Sequence, residues 1–326
     1  MRLIFMGTPE AAVPTLRRCL EDGHEVAAVW TQPDKPAGRG NKLKSPPVKE
    51  FARAYNLAVH QPAKIRTPEA FELFASHKAD AAIVVAYGRI LPAAFLHAPR
   101  LGCINVHFSL LPKYRGAAPV NWAIVRGEKE TGVTTMFMDE GLDTGAILLQ
   151  RATTIAEKEC APELMARLAQ LGADLLSETL TRFSDLIPRA QQEEDATHAP
   201  VLCREDGLID WLQDALTIER CVRGFQPWPN SYTTHAGRKL IVWRAEAEHA
   251  DTSLGISPGG KSEFKDGEII EARGDNLIVA CGSGGKGSKD SESVLRFIEV
   301  QPEGKRRMSV RDFLNGAQLK TGDRFG

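Results

Sequence analysis

Cys103-Ile104-Asn105-Val106-His107-Phe108-Ser109-Leu110-Leu111-Pro112 is the stretch from which the rest of the chain can be read. As a strand, residues 103–107 have a side-chain period of two, so Asn105 and His107 share one face. Further strand-like apolar runs lie at 3–6, 25–30, 81–86 and 133–138. Amphipathic, helix-like segments at 14–22, 48–55, 68–77 and 163–183 alternate with them. Strands alternating with helices predict an α/β domain whose mostly parallel sheet is covered on both faces. Ligands of open α/β sheets bind beyond the carboxyl ends of the strands. Asn105 and His107 are therefore expected to point into a cleft. A lone His is more often a satisfied structural residue. The Asn-x-His pair at a strand end is what makes chemistry a serious reading.

A second constellation follows the strand at 133–138: Met138-Asp139-Glu140-Gly141-Leu142-Asp143-Thr144-Gly145. Acidic loops with glycines are usually plain turns and sometimes calcium sites, but this spacing fails the twelve-residue calcium pattern. A carboxylate delivered beside an Asn and a His makes an acyl-transfer set. Asn donates to a developing oxyanion, His manages a proton, and Asp orients the His. The long segment 33–47 is a third feature, expected to be a structureless loop, and such loops tend to be functional. It carries Lys35, Arg39, Lys42 and Lys44 against the single acid Asp34, with Gly38 and Gly40 around the Arg. It can mould itself to phosphates, although charge alone also describes a merely solvated loop.

Composition sets the outer bounds. The 326 residues are 43% hydrophobic and 25% charged, as in a globular protein with a substantial core. No run of about 18 apolar residues occurs, so no membrane span is expected. The start, Met1 to Gly7, reads as a buried strand rather than a secretory signal. Six scattered cysteines without metal spacing argue for reduced thiols in a cytoplasmic protein, without a disulfide framework or a metal site. The formal net charge of −1 leaves any nucleic-acid contact to local Lys and Arg clusters. The first strand-to-helix turn, Gly7-Thr8-Pro9, lacks the G-x-G-x-x-G fingerprint, which disfavours a nicotinamide oxidoreductase.

The texture changes after residue 188. Residues 189–205 include Gln191-Gln192-Glu193-Glu194-Asp195, show no apolar period, and read as a linker or an acidic surface loop. Beyond 206, short alternating strands at 231–234, 239–245, 267–272, 277–280 and 294–300 are separated by Gly-rich turns, which predicts a small barrel. The low-complexity segment 282–293 reads as a hairpin tip. The expected domains are 1–188 (catalytic), 189–205 (linker) and 206–326 (barrel).

Together the motifs N-x-H-x-S-L-L-P at 105–112 and D-x-G-x-D-T-G at 139–145 resemble those of the folate-dependent formyltransferases, over essentially the whole chain. Met6-Gly7-Thr8-Pro9, the basic loop 34–44, Arg115-Gly116-Ala117-Ala118-Pro119, Phe225-Gln226-Pro227-Trp228-Pro229 and Gln301-Pro302-Glu303-Gly304-Lys305 resemble the branch that formylates charged initiator tRNA. The resemblance implies a Rossmann-like N-terminal formyltransferase domain and a C-terminal OB-like β-barrel that binds tRNA. It implies transfer of formyl from 10-formyltetrahydrofolate to the α-amino group of methionyl initiator tRNA, by a cytoplasmic monomer that needs no metal. Residue by residue, Asn105, His107 and Asp143 match the family's catalytic trio. Ser109, Leu110, Leu111 and Pro112 match its folate-contact loop, with a cis Leu111–Pro112 bond. Tyr87, Gly88, Arg89, Ile90 and Leu91 fall where relatives line the pterin pocket with backbone groups, and Arg39 with Lys42 falls in the tRNA-contacting basic loop. Phe108 departs from the small residue or proline usual there, and 282–293 is longer than usual. The same chemistry with another acceptor, glycinamide ribonucleotide or an amino-sugar nucleotide, stays open. A non-catalytic RNA-binding module is disfavoured, because aromatics are 7% of the chain and 206–326 is not net basic.

Overall fold

The computed structural model describes residues 1–37, 42–249, 264–282 and 293–326. The chain forms two compact units. Met1–Pro119, Glu130–Thr154 and Glu163–Pro200 make the first; Val120–Lys129, Ile155–Pro162 and Val201–Gly326 make the second.

The first unit starts with β1 (Arg2–Gly7), buried from Leu3 onward, as the unbroken apolar run of a two-sided strand requires. Helix α1 (Val13–Glu21) carries Pro14 in its first turn and buries Val13, Leu16 and Cys19, an i, i+3, i+6 stripe. β2 (Glu25–Trp30) then runs parallel to β1. The segment expected to be structureless instead forms a hairpin, β3 (Lys35–Ala37) with β4 (Lys42–Lys44), in which Pro36 faces Leu43. Arg39 and its glycines, 38–41, lie outside the described residues. α2 (Pro47–Ala54), β5 (Val59–His60) and α3 (Pro68–Ser76) follow. The Thr67 side chain caps α3 by accepting from the Ala70 N–H at 3.2 Å, replacing one orphan bond of the helix start. Next come β6 (Ala81–Val85), α4 (Ala93–His97), β7 (Cys103–His107) and β8 (Arg115–Gly116), while α5 (Pro119–Val125), from Val120 onward, belongs to the second unit. β9 (Glu130–Phe137), β10 (Ile147–Thr154), α6 (Ala161–Thr181) and β11 (His198–Ala199) complete the series.

The main sheet has the order β10-β9-β7-β6-β1-β2-β5. The five strands from β7 to β5 are parallel, while β9 runs antiparallel to both its neighbours, β7 and β10. The sheet is therefore mixed at one end, because the short loop 138–146 admits a hairpin return but no crossover helix. The chain leaves β1 towards β2 on one side and returns as β6 on the other. Such a reversal opens a crevice at the carboxyl ends of the strands. The segments after β6 and β7 open on that edge.

Residues 189–200, read from composition as linker, are bound into this unit. Arg189 and Ile147 exchange both backbone hydrogen bonds at 2.8 Å, and β11 pairs with β8. Backbone pairing needs no apolar side chains, so composition carried no sign of it.

In the second unit α7 (Ala215–Gly224) is capped by Asp214, whose carboxylate accepts from the Thr217 N–H at 2.8 Å. β12 (Ser231–His235), β13 (Arg238–His249), β14 (Ile269–Arg273), β15 (Asn276–Cys281), β16 (Ser293–Pro302) and β17 (Met308–Ser309) precede α8 (Val310–Leu314). The sheet order is β12-β13-β16-β15-β14, with β17 on β16, and every pair is antiparallel. Trp211, Phe297 and Phe325 stack at its core with centroids 5.7–6.2 Å apart. Of the expected tip 282–293, residues 283–292 lie outside the described residues. Among the described residues no helix is long and apolar enough to cross a membrane.

Candidate active site

Asn105 and His107 sit at the carboxyl end of β7, opposite Met136 and Thr134 of β9. They are 8% and 6% exposed. Buried polar groups must find partners. Asn105 Nδ2 approaches Asp143 Oδ1 at 3.5 Å, and His107 Nδ1 lies 3.6 Å from Asp143 Oδ2. His107 Nε2 lies 2.9 Å from the Tyr114 carbonyl oxygen. A carbonyl can only accept, so Nε2 carries a hydrogen and Nδ1 is the ring nitrogen turned to the carboxylate. The structure thus brings together three residues that are 38 positions apart at the extremes.

The carboxylate arrives on a sharply folded loop. Asp139 Oδ1 accepts from the Gly141 N–H at 3.1 Å and the Thr144 hydroxyl at 2.7 Å. A Cβ on Gly145 would overlap the Phe137 carbonyl oxygen, so only glycine closes this loop onto β9. Asp143 itself has φ +55°, a left-handed conformation that costs roughly 1–2 kcal/mol for a residue with a Cβ. Its Oδ2 accepts from the Gly116 N–H at 2.8 Å. Gly116 has φ +122°, and a Cβ there would come 2.5 Å from the Ala199 carbonyl oxygen. β8 and β11 can lie this close only with glycine at 116.

The loop after β7 is tied at nearly every polar group. Ser109 Oγ donates to the Lys113 carbonyl at 2.6 Å. The buried Thr134 hydroxyl donates to the Ser109 carbonyl at 2.7 Å and accepts from the Leu111 N–H at 3.1 Å. Gln150 Nε2 donates to the Leu111 carbonyl at 2.8 Å. The Leu111–Pro112 bond is cis. Phe108 is 6% exposed and turns into the core beneath Gly172 of α6, where a Cβ would press first on the Val106 methyl at 2.9 Å and then on the Phe108 ring at 3.4 Å. The bulky residue at 108 is thus packed away from Ser109-Leu110-Leu111-Pro112.

The third segment follows β6, at the reversal of strand order. Ala86 and Gly88 have φ +46° and +81°. The Tyr87 carbonyl accepts from the Thr8 hydroxyl at 3.0 Å and Gln32 Nε2 at 3.1 Å. Arg89 donates to Gln32 Oε1 at 3.2 Å and the Ala63 carbonyl at 2.9 Å, so its guanidinium braces the segment. Ile90 and Leu91 line a cleft of about 570 Å³ with Ile65, Phe71, Phe95 and Glu140. Arg66 and the capped start of α3 stand at the same cleft. An apolar slot of this size with an arginine and a helix N-terminus in its lining can take a flat aromatic molecule that carries carboxylates. The buried Tyr87 hydroxyl, in the same apolar cluster, has no hydrogen-bond partner among the described residues. These residues fit a reduced folate.

Thiol chemistry finds no support here. Burial pushes the Cys103 thiol, at the start of β7, up to about 12. Among the described residues no group of three or more His, Cys, Asp or Glu is arranged to hold a metal ion. Arg39 lies outside the described residues, and Lys42 opens β4. Motif reading missed Tyr114, Thr134, Gln150 and Gln191, whose roles come from a backbone carbonyl, a hydroxyl and side-chain amides with no spacing rule.

Two family models match the chain: Formyl transferase over residues 1–180, and Formyl transferase, C-terminal domain, over 202–318. A methionyl-tRNA formyltransferase of Caldanaerobacter subterraneus subsp. tengcongensis is 47% identical over 326 residues, covering 99% of each chain. Among solved structures, WlaRD, a sugar 3N-formyl transferase, superposes with a TM-score of 0.62 at 16% identity, covering 94% of this chain and 99% of that one. HypX from Aquifex aeolicus in complex with tetrahydrofolic acid gives 0.60 at 19% identity, covering all of this chain, which spans about half (50%) of HypX. The last two likenesses speak for the fold. With both halves matched and nearly half its residues identical to a full-length relative, the chain belongs to the formyl transferase family.

Proposed function

We propose that the chain transfers the formyl group of 10-formyltetrahydrofolate to the α-amino group of methionyl initiator tRNA. The observation that carries this reading is 47% identity over full length to a methionyl-tRNA formyltransferase, joined to an Asn–His–Asp constellation whose 139–145 loop also contributes Glu140 to an apolar cleft. Reduced folate supplies the formyl group. The cleft along Ile90 and Leu91 would hold its rings, with the backbone of Tyr87, Gly88, Arg89 and Leu91 towards the pterin. Ser109, Leu110, Leu111 and Pro112 would form the facing wall.

The attacking amine must be neutral, and α-amino groups titrate near about 7.7–8.0, so little activation is needed. Asn105 Nδ2 donates to the formyl oxygen as that oxygen gains charge. His107 has Nε2–H committed to Tyr114, so Nδ1 and the Asp143 carboxylate are the groups that manage the proton. The amine loses one proton as the new C–N bond forms, and N10 of the carrier gains one as its bond to the formyl carbon breaks. Asp143 orients the imidazole for this exchange, as a carboxylate does for other catalytic histidines.

Residues 1–188 act as the catalytic domain and 206–326 as an OB-like barrel that contacts tRNA, joined through 189–205. The run of antiparallel strands from β12 to β17 supports the barrel reading. Arg39 and Lys42 of the basic segment 34–44 meet the acceptor end. The protein acts as a cytoplasmic monomer. The test offers charged initiator tRNA, charged elongator tRNA and glycinamide ribonucleotide side by side with 10-formyltetrahydrofolate. Formylation of initiator tRNA is expected; formylation of the ribonucleotide alone overturns the acceptor.

A further inference from the structure

Asp143 needs to be held. Its left-handed backbone is costly, and its carboxylate contacts to Asn105 and His107 are long. One side chain grips this backbone. Gln191 Nε2 donates to the carbonyl of Asp143 at 2.8 Å and to that of Gly145 at 2.8 Å, using both amide hydrogens across the turn. Gln191 Oε1 accepts from Arg115 Nε at 3.0 Å. Carbonyls only accept and a guanidinium only donates, so the amide has one possible sense. Arg115 is 3% exposed and anchored by the Glu193 carboxylate at 2.7 Å. Its neighbours complete the frame: Gly116 N–H holds the Asp143 carboxylate, and the Tyr114 carbonyl holds His107 Nε2.

We propose that Gln191 is a positioning residue for the transfer reaction, fixing the Asp143 turn against the 114–116 strand so that carboxylate and imidazole keep their mutual geometry. The proposal rests on the reading of Asn105, His107 and Asp143 as the reaction centre. Displacements of about 1 Å at such a centre can cost on the order of 10²-fold in rate. Gln191 touches no reacting atom, so its effect must pass through Asp143.

The experiment is a double-mutant cycle on the full chain, measuring kcat, KM for folate and Tm. Gln191→Glu keeps the acceptor for Arg115 and removes both donors; Gln191→Met keeps length and removes all polarity. If one fails to fold, the other still reads. Either variant should lower kcat about tenfold or more, with folate KM within about twofold, because only the Asp143 side of the site moves. In an Asp143→Ala background the same change should cost less than about twofold, as expected for residues acting through one group. A wild-type kcat for both Gln191 variants, with Asp143→Ala crippled, overturns the proposal and leaves the reaction centre standing. An equal loss in both backgrounds also overturns it, since a merely structural role would add. Full activity in Asp143→Ala overturns the reaction centre itself.

Discussion

Replacing Thr134 with valine exchanges one hydroxyl for a methyl at nearly constant volume, in a side chain with no solvent exposure. The hydroxyl donates to the Ser109 carbonyl at 2.7 Å, and accepts from the Leu111 N–H at 3.1 Å and from Gln150 Nε2 at 3.0 Å. Gln150 keeps its bond to the Leu111 carbonyl. Valine therefore strands two backbone groups, both in buried residues. At about 1–3 kcal/mol for each such group, Thr134→Val should lose roughly 2–5 kcal/mol. Thr134→Ser keeps all three bonds and gives up one methyl group, about 1 kcal/mol. With roughly 2–4 °C of Tm per kcal/mol in a domain of this size, the valine variant should melt about 5–15 °C lower and the serine variant about 2–4 °C lower. Strand propensity alone predicts the opposite order, since β-branched valine suits a strand better than serine. Thermal unfolding of the three proteins decides between them, and folate KM should rise in the valine variant as Ser109 to Pro112 loosens. A valine variant as stable as wild type would refute the view that this hydroxyl holds the loop.

Asn105→Ala and His107→Ala should each lower turnover by about 10²-fold or more with Tm unchanged, and near-normal kcat in either removes that residue from the mechanism. Arg39→Ala should raise KM for charged initiator tRNA without changing KM for folate, and should make tRNA affinity less steep in salt, while Arg39→Lys recovers part of the loss. Wild-type tRNA kinetics with an unchanged salt slope would remove Arg39 from tRNA contact. The rings of His60 and His77 lie 5.1 Å apart, and burial lowers both values, with the charge of His60 lowering His77 further. The unfolded chain therefore takes up these protons first, near about pH 6.5, so stability is full above that pH and declines as pH falls through it. Tm measured from pH 7 to 5 should fall in wild type and less steeply in a His60→Gln, His77→Gln variant; equal slopes would exclude the pair.

The residues from 103 to 112 show how much one segment of sequence can carry. Apolar residues every second position made β7, and the same period put Asn105 and His107 on one face without knowledge of any neighbour. The amphipathic stripe of α1 was legible for the same local reason. The β3–β4 pair was not, because these short strands, with lysines and a proline, carry no buried apolar face and pair through the backbone. The segment 189–200 looked like linker because its ties are backbone and polar side-chain bonds that leave no apolar period.

Sequence alone determined which residue types were available and where strands and helices repeat, since both follow from side-chain periodicity along the chain. It also supplied the motif match by which Asp143 could be set beside Asn105 and His107. Tertiary structure decided the rest: that β9 and β10 run antiparallel, that Phe108 turns inward under Gly172, that Gly116 N–H meets the Asp143 carboxylate, and that Gln191 grips its backbone. Those contacts have on at least one side a backbone group, which every residue carries alike, or the bare Cα of a glycine. They acquire identity only when the fold brings two distant segments within hydrogen-bond reach.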